Sequence, residues 1–132
     1  MTLVALSLFL AGCHYSRGLD ATDKAVDQFH DRFNEKEFEK IFDQASNEFK
    51  QAYDKKKSLK HFKKIYDYLG KVERTKRGGW AVDIQPFGLE VTANFETAFE
   101  RGSGKEKFVF LVGDEKVELM IYEFSSEGVE LD

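Results

Sequence analysis

The chain has 132 residues, 42% hydrophobic and 33% charged, with 13 Phe, 5 Tyr and 1 Trp against a single Pro and a single Cys. That length suits one domain, and so aromatic a composition excludes a disordered or low-complexity protein. One Cys excludes an internal disulfide scaffold and a multi-cysteine zinc module, and a net charge of −4 argues against a dedicated nucleic-acid binder.

Leu3 to Gly12 read LVALSLFLAG, an uncharged run followed at once by Cys13 and polar His14, Tyr15, Ser16 and Arg17. As a helix the run is about 15 Å long, half of a hydrocarbon core of about 30 Å, so it is too short to span a membrane. It suits the apolar stretch of a secretory signal. Its end, Leu10-Ala11-Gly12-Cys13, resembles the lipobox of bacterial lipoproteins: a Leu, two small residues, then the Cys. The resemblance implies that residues 1–12 are a signal peptide and that the mature chain begins at Cys13. It also implies three acyl chains, palmitate among them, on that residue; several chains hold far more firmly than one. Only Met1 and Thr2 precede the run, so the basic segment that usually leads it is expected upstream of Met1, the alternative being inefficient insertion. His14 follows the Cys where an Asp would imply retention at the inner membrane. The implied location is therefore the outer membrane, facing the periplasm.

Residues 13–19 read as a polar tether and residues 20–132 as a single domain. Thr22 or Asp23 is placed to cap a helix with Ala25, Val26, Phe29 and Phe33 on one face. Asn34 and Glu35-Lys36-Glu37 suggest a break, after which Phe38, Ile41, Phe42 and Ala45 continue the stripe. A third helix over Ser58 to Leu69 aligns Leu59, Phe62, Ile65, Tyr66 and Leu69, with Gly70 at its C-cap.

From Val72 the period becomes two. Leu89, Val91, Ala93, Phe95 and Phe99 alternate with polar Glu90, Thr92, Asn94 and Glu96. Phe108, Phe110 and Val112 follow, with Val109 and Leu111 on the opposite side, so that strand is expected to be covered on both faces. Gly113-Asp114 marks a turn before a strand from Val117 to Phe124. Gly78-Gly79 and Arg101-Gly102-Ser103-Gly104 are the other turn signals. Helices first and an antiparallel meander second give an α+β fold, about three helices packed on one face of a curved sheet.

The order of helices, long strand, Phe99-Glu100-Arg101-Gly102 turn, Glu106-Lys107-Phe108 and final hairpin resembles the nuclear transport factor 2-like and cystatin-like group. It is most similar to small lipoproteins of that group whose function is unknown. The resemblance implies a cone between sheet and helices that binds a small molecule or carries out proton transfer, and it implies homodimers through the sheet. It assigns no catalytic residue here.

Chemistry-bearing motifs are sparse. His14, His30 and His61 lack metal-ligand spacing, no phosphate-cradling or nucleophile motif occurs, and no cofactor is implied. Asp83, Glu90, Tyr66 and Tyr122 are placed to flank a pocket, without an assigned role. Charge is more informative. Residues 50–77 carry 11 Lys/Arg against 3 Asp/Glu, while residues 78–132 carry 4 against 12. Lys56, Lys60, Lys63 and Lys64 form a candidate contact patch, either a solvated helix face or a surface for anionic headgroups or an acidic partner. The reading is a lipid-anchored envelope protein acting as a non-catalytic binding module for an envelope protein or small ligand, with no nucleic-acid partner. The alternative is a small cone-pocket enzyme for proton transfer or hydrolysis.

Overall fold

Thr22, Val26, Phe29, His30 and Phe33 recur at helical spacing, and all five are buried along one stripe of α1 (Thr2–Asn34). The computed structural model describes the backbone of residues 2–130 and the side chains of residues 17–130. The side chains of the Leu3–Gly12 run, of Cys13 and of His14 therefore lie outside the described residues. Helical backbone runs through residues 13–19, where the sequence suggests a tether. Thr22 is not a cap: its Oγ1 donates to Gly18 O at 2.8 Å, the four-residue back-bond of a hydroxyl inside a helix.

The break after Asn34 is where the sequence places it. Lys36 adopts the left-handed region (φ 58°), its N donates to Phe33 O at 3.0 Å, and Glu37 N donates to Arg32 O at 2.8 Å. That pair of bonds closes the helix end. Two short helices follow, α2 (Phe38–Asp43), which buries Ile41 and Phe42, and α3 (Asn47–Ala52), which the sequence does not signal. Ser46 explains α3. Its Oγ accepts from Phe49 N at 3.1 Å while its own N donates to Leu119 O at 2.9 Å, so one residue caps a helix and ties it to the sheet. Asp54 Oδ1 accepts from Lys57 N at 2.9 Å and starts α4 (Lys55–Leu69) three residues before the expected Ser58. Gly70 (φ 80°) ends it as anticipated.

β1 (Val72–Gln85), β2 (Gly88–Phe99), β3 (Gly102–Val112) and β4 (Val117–Ser125) form one antiparallel sheet in chain order. The fold is α+β, with four helices rather than three on one face of the curved sheet. In β2, Val91, Ala93, Phe95, Thr97 and Phe99 are buried toward the helices. In β3, Glu106, Phe108 and Phe110 share that inner face, while Val109 is 3% exposed on the other. A register shift between Val109 and Phe110 explains why Leu119 and Tyr122 of β4, three residues apart, both point inward.

Gly78-Gly79 is not a turn. It lies inside β1, where the ladder slips between Arg77 and Trp80. The chain reverses instead at Pro86-Phe87, between paired Gln85 and Gly88. Gly88 (φ 146°) is required there, because a Cβ would sit 2.4 Å from Val112 O.

Candidate functional site

The aromatic residues meet between helices and sheet. The Phe29 ring lies 5.0 Å from Phe108, 5.9 Å from Phe62 and 4.7 Å from Tyr122, and Phe62 and Tyr122 are 5.8 Å apart. Phe33, Phe62 and Phe108 are each 1% exposed or less. Rings at these spacings pack edge to face or tilted, which fills space at close to crystalline density. The region where a cone would open is occupied by the protein's own side chains.

Inside this packing stands one carboxyl group. Glu106 is in register between Phe95 of β2 and Phe124 of β4, and its side chain is 1% exposed. Three elements bring partners to it. Tyr122 Oη donates to Oε2 at 2.6 Å, Thr97 Oγ1 donates to Oε1 at 2.5 Å, and His30 Nε2 stands 2.8 Å from Oε1. With the proton on Nε2, three donors converge on one acceptor-only carboxylate, and α1, β2, β3 and β4 are joined at a point. Burying a carboxylate alone costs several kcal/mol, so the donors are what make the position tolerable. Among the described residues no buried side-chain polar atom lacks a partner. Burial, then the Glu106 charge and hydrogen bond, push the Tyr122 hydroxyl well above its ordinary range, which keeps it a donor.

Chemically this constellation has the parts of an acid–base site: a Tyr and a His on one carboxylate. What it lacks is access, because both carboxylate oxygens are engaged and the side chain is sealed. Tyr122 is a candidate from the sequence, whereas Glu106 is not. Lys105-Glu106-Lys107 reads as a surface run, yet the two-residue period from Phe110 and Phe108 back to Glu106 already puts that carboxylate on the inner face. His30, which lacks metal-ligand spacing in the sequence, is buried against Glu106.

An accessible hollow lies on the opposite face of the sheet. A groove of about 540 Å3 crosses all four strands, taking three consecutive residues from each. The middle row (Arg77, Phe95, Glu106, Phe124) reaches it through backbone alone, as its side chains face the helices. The flanking side chains form two polar rows of successive cross-strand neighbours, Lys76, Glu96 and Lys105 in one and Asn94, Lys107 and Glu123 in the other.

The other candidates fall elsewhere. Lys56, Lys60 and Lys63 are exposed on the outward side of α4 and Lys64 is half-buried beside them, so the structure does bring the patch together. Asp67 joins it, 2.6 Å from Lys63 Nζ, and lowers its net charge. Lys55 is turned aside to Asp43 and Glu39 of α2, at 2.9 and 3.0 Å. Asp83 and Glu90 face each other across β1 and β2, and Tyr66 lies under Lys36 Nζ, 4.8 Å from the ring centroid. Among the described residues no group of three or more His, Cys, Asp and Glu is arranged to hold a metal ion, and no helix is long and apolar enough to cross a membrane. A scan against protein-family models and a search of curated proteins return no match for the chain.

Proposed function

We propose that this chain is a lipid-anchored bacterial envelope protein of the nuclear transport factor 2-like and cystatin-like kind, held at the outer membrane through Cys13 and acting as a non-catalytic interaction module. The observation that carries the reading is the contrast between the two faces of the sheet. The inner face is filled by Phe29, Phe62, Phe108 and Tyr122, whereas the outer face offers an open groove flanked by rows of alternating charge. A surface of mixed sign suits a polar protein partner better than a compact anion or an apolar ligand. A second copy meeting the first through this face is the homodimeric form of the same reading.

The enzyme reading has one observation in its favour, the Tyr122–Glu106–His30 constellation. Against it stands the seal: a reacting substrate would have to displace packed aromatic rings to reach either carboxylate oxygen.

The test has two arms in living cells. Cys13→Ala should move the protein from the membrane fraction to a soluble or unprocessed form. A photo-crosslinking residue at position 96 or 107, in the groove, should capture a discrete adduct from the anchored protein, while one at position 71 should not. A Cys13→Ala chain that remains a processed membrane protein would overturn the anchor. Adducts no different between groove and control positions would overturn the groove.

A further inference from the structure

The β1–β2 hairpin ends in large apolar side chains set in solvent. Ile84 is 80% exposed and Phe87 63%. Single exposed apolar residues are ordinary, but two large ones at one turn, on either side of Pro86, mark a contact surface.

The course of α1 decides what this tip meets. Its contacts with the sheet approach the tip in order. Asn34 exchanges hydrogen bonds with Val72 at 2.8 and 3.2 Å, Asp23 pairs with Arg77, and Gly18 lies against Leu89 so closely that a Cβ would be 2.8 Å from Leu89 Cδ1. Leu89 is the cross-strand neighbour of Ile84 and adjoins Gly88 at the turn. Cys13 precedes Gly18 by five residues, a length of chain that reaches at most about 18 Å when extended and about 7.5 Å when helical. The α1 backbone therefore carries position 13, the anchor point of the lipid-anchor reading, toward the end of the sheet where Ile84 and Phe87 project.

We infer that the β1–β2 tip dips into the bilayer that holds the acyl chains, so that the domain is fixed to the membrane at two points. This deepens the lipid-anchor reading and rests on it. The lipid surface it fits is zwitterionic. Asp83 and Glu90 are cross-strand neighbours just behind the tip, and the Gly113–Lys116 turn alongside carries Asp114 and Glu115 against one cation, Lys116, so the local charge is negative and would repel anionic headgroups. Phe and Ile at an interface bury to about 5–10 Å, level with the headgroup boundary. The last turn of α4 sits at the far end of the sheet, where Leu69 packs on Gly102 and Arg101 donates to the carbonyls of Tyr66, Asp67 and Tyr68. Docked by the tip, the protein holds that end of the basic stripe away from the membrane and toward the aqueous side.

The experiment uses the full chain, recovered from its native membrane and reconstituted into phosphatidylcholine vesicles. Phe87→Cys or Ile84→Cys is labelled with an environment-sensitive dye, with Lys71→Cys at the opposite end of the sheet as control. All three positions are exposed, so the fold should survive each change. Flotation of the protein with the vesicles reads the anchor. The dye at 84 or 87 should shift to the blue and be quenched several-fold more by lipids brominated near the headgroup than the dye at 71, with no loss when salt is raised. A chain that does not float overturns the anchor and this inference together. A chain that floats while the dye at 84 or 87 stays open to aqueous iodide overturns this inference alone. So does a dye shielded from both iodide and brominated lipid, which would mean that a protein surface covers the tip.

Discussion

β1 and β2 are paired along nearly their whole length, yet they live in different environments. Every inward residue of β2 from Val91 to Phe99 is buried under the helices. In β1 no residue is buried, and most are exposed. The cause is cover rather than strand propensity. α1 lies over the row that β2 and β3 present, α4 packs through Phe62 on Tyr122 of β4, and β1, at the sheet edge, is touched by α1 only at Val72 and Arg77 among the side-chain contacts described. A ladder of hydrogen bonds carries strand geometry from one neighbour to the next, but it carries no burial with it. The lesson is that pairing and packing are separate supports, and that the bare strand is the one left free to meet a surface.

The largest expected effect falls on the covered side. Phe95→Ala removes a ring that is 7% exposed and 5.9 Å from Phe108, and should cost about 3–5 kcal/mol in a denaturant titration. A loss below about 0.5 kcal/mol would mean that the helices do not cover β2 as described.

Tyr122→Phe should cost less, about 1.5–3 kcal/mol, because it keeps the ring and removes only the donor to Glu106 Oε2. It also carries a signature in pH. Burial raises the Tyr122 hydroxyl above its unfolded value near 10, so the folded state resists ionisation. The contribution is complete below pH 10 and is lost as pH rises toward the folded value, at up to about 1.4 kcal/mol per pH unit. Stability measured from pH 9 upward should fall more steeply for the parent than for Tyr122→Phe. Parallel curves would show that the hydroxyl is not held as described.

The smallest effect belongs to the bare strand. Ile84→Ser should change stability by no more than about 0.5 kcal/mol, although the same swap in a core would be severe. A large loss would mean that β1 is covered after all.

The same contrast decided what could be read from sequence. β2 was legible because one-sided cover imprints alternation on Leu89 to Phe99. β1 (VERTKRGGWAVDIQ) was not, because a strand bare on both faces has no period to display. Its double glycine therefore passed for a turn, and the real reversal at Pro86-Phe87, without Asn or Asp beside it, passed unnoticed. α3 escaped for a different reason: six residues carry too little periodicity, and its cap at Ser46 is fixed partly by Leu119, far away in sequence. The basic stripe on α4 was visible because surface charge is written directly in composition. Glu106 was hidden because its three donors come from α1, β2 and β4, and no local window contains them.

The Tyr122–Glu106–His30 constellation is closed to solvent, and in the interaction-module reading it serves as a support of the fold. Footprinting the native protein with diethylpyrocarbonate at neutral pH tests it directly. His61 is partly exposed, and burial followed by the nearby Lys64 charge lowers its pKa below the usual 6.5, so its neutral ring should react readily. His30 is 7% exposed, with Nε2 held at 2.8 Å from Glu106. His61 should be modified while His30 stays protected until the protein unfolds. Equal modification of both in the folded state would reveal an open path to Glu106, and would turn the reading from an interaction module toward an enzyme.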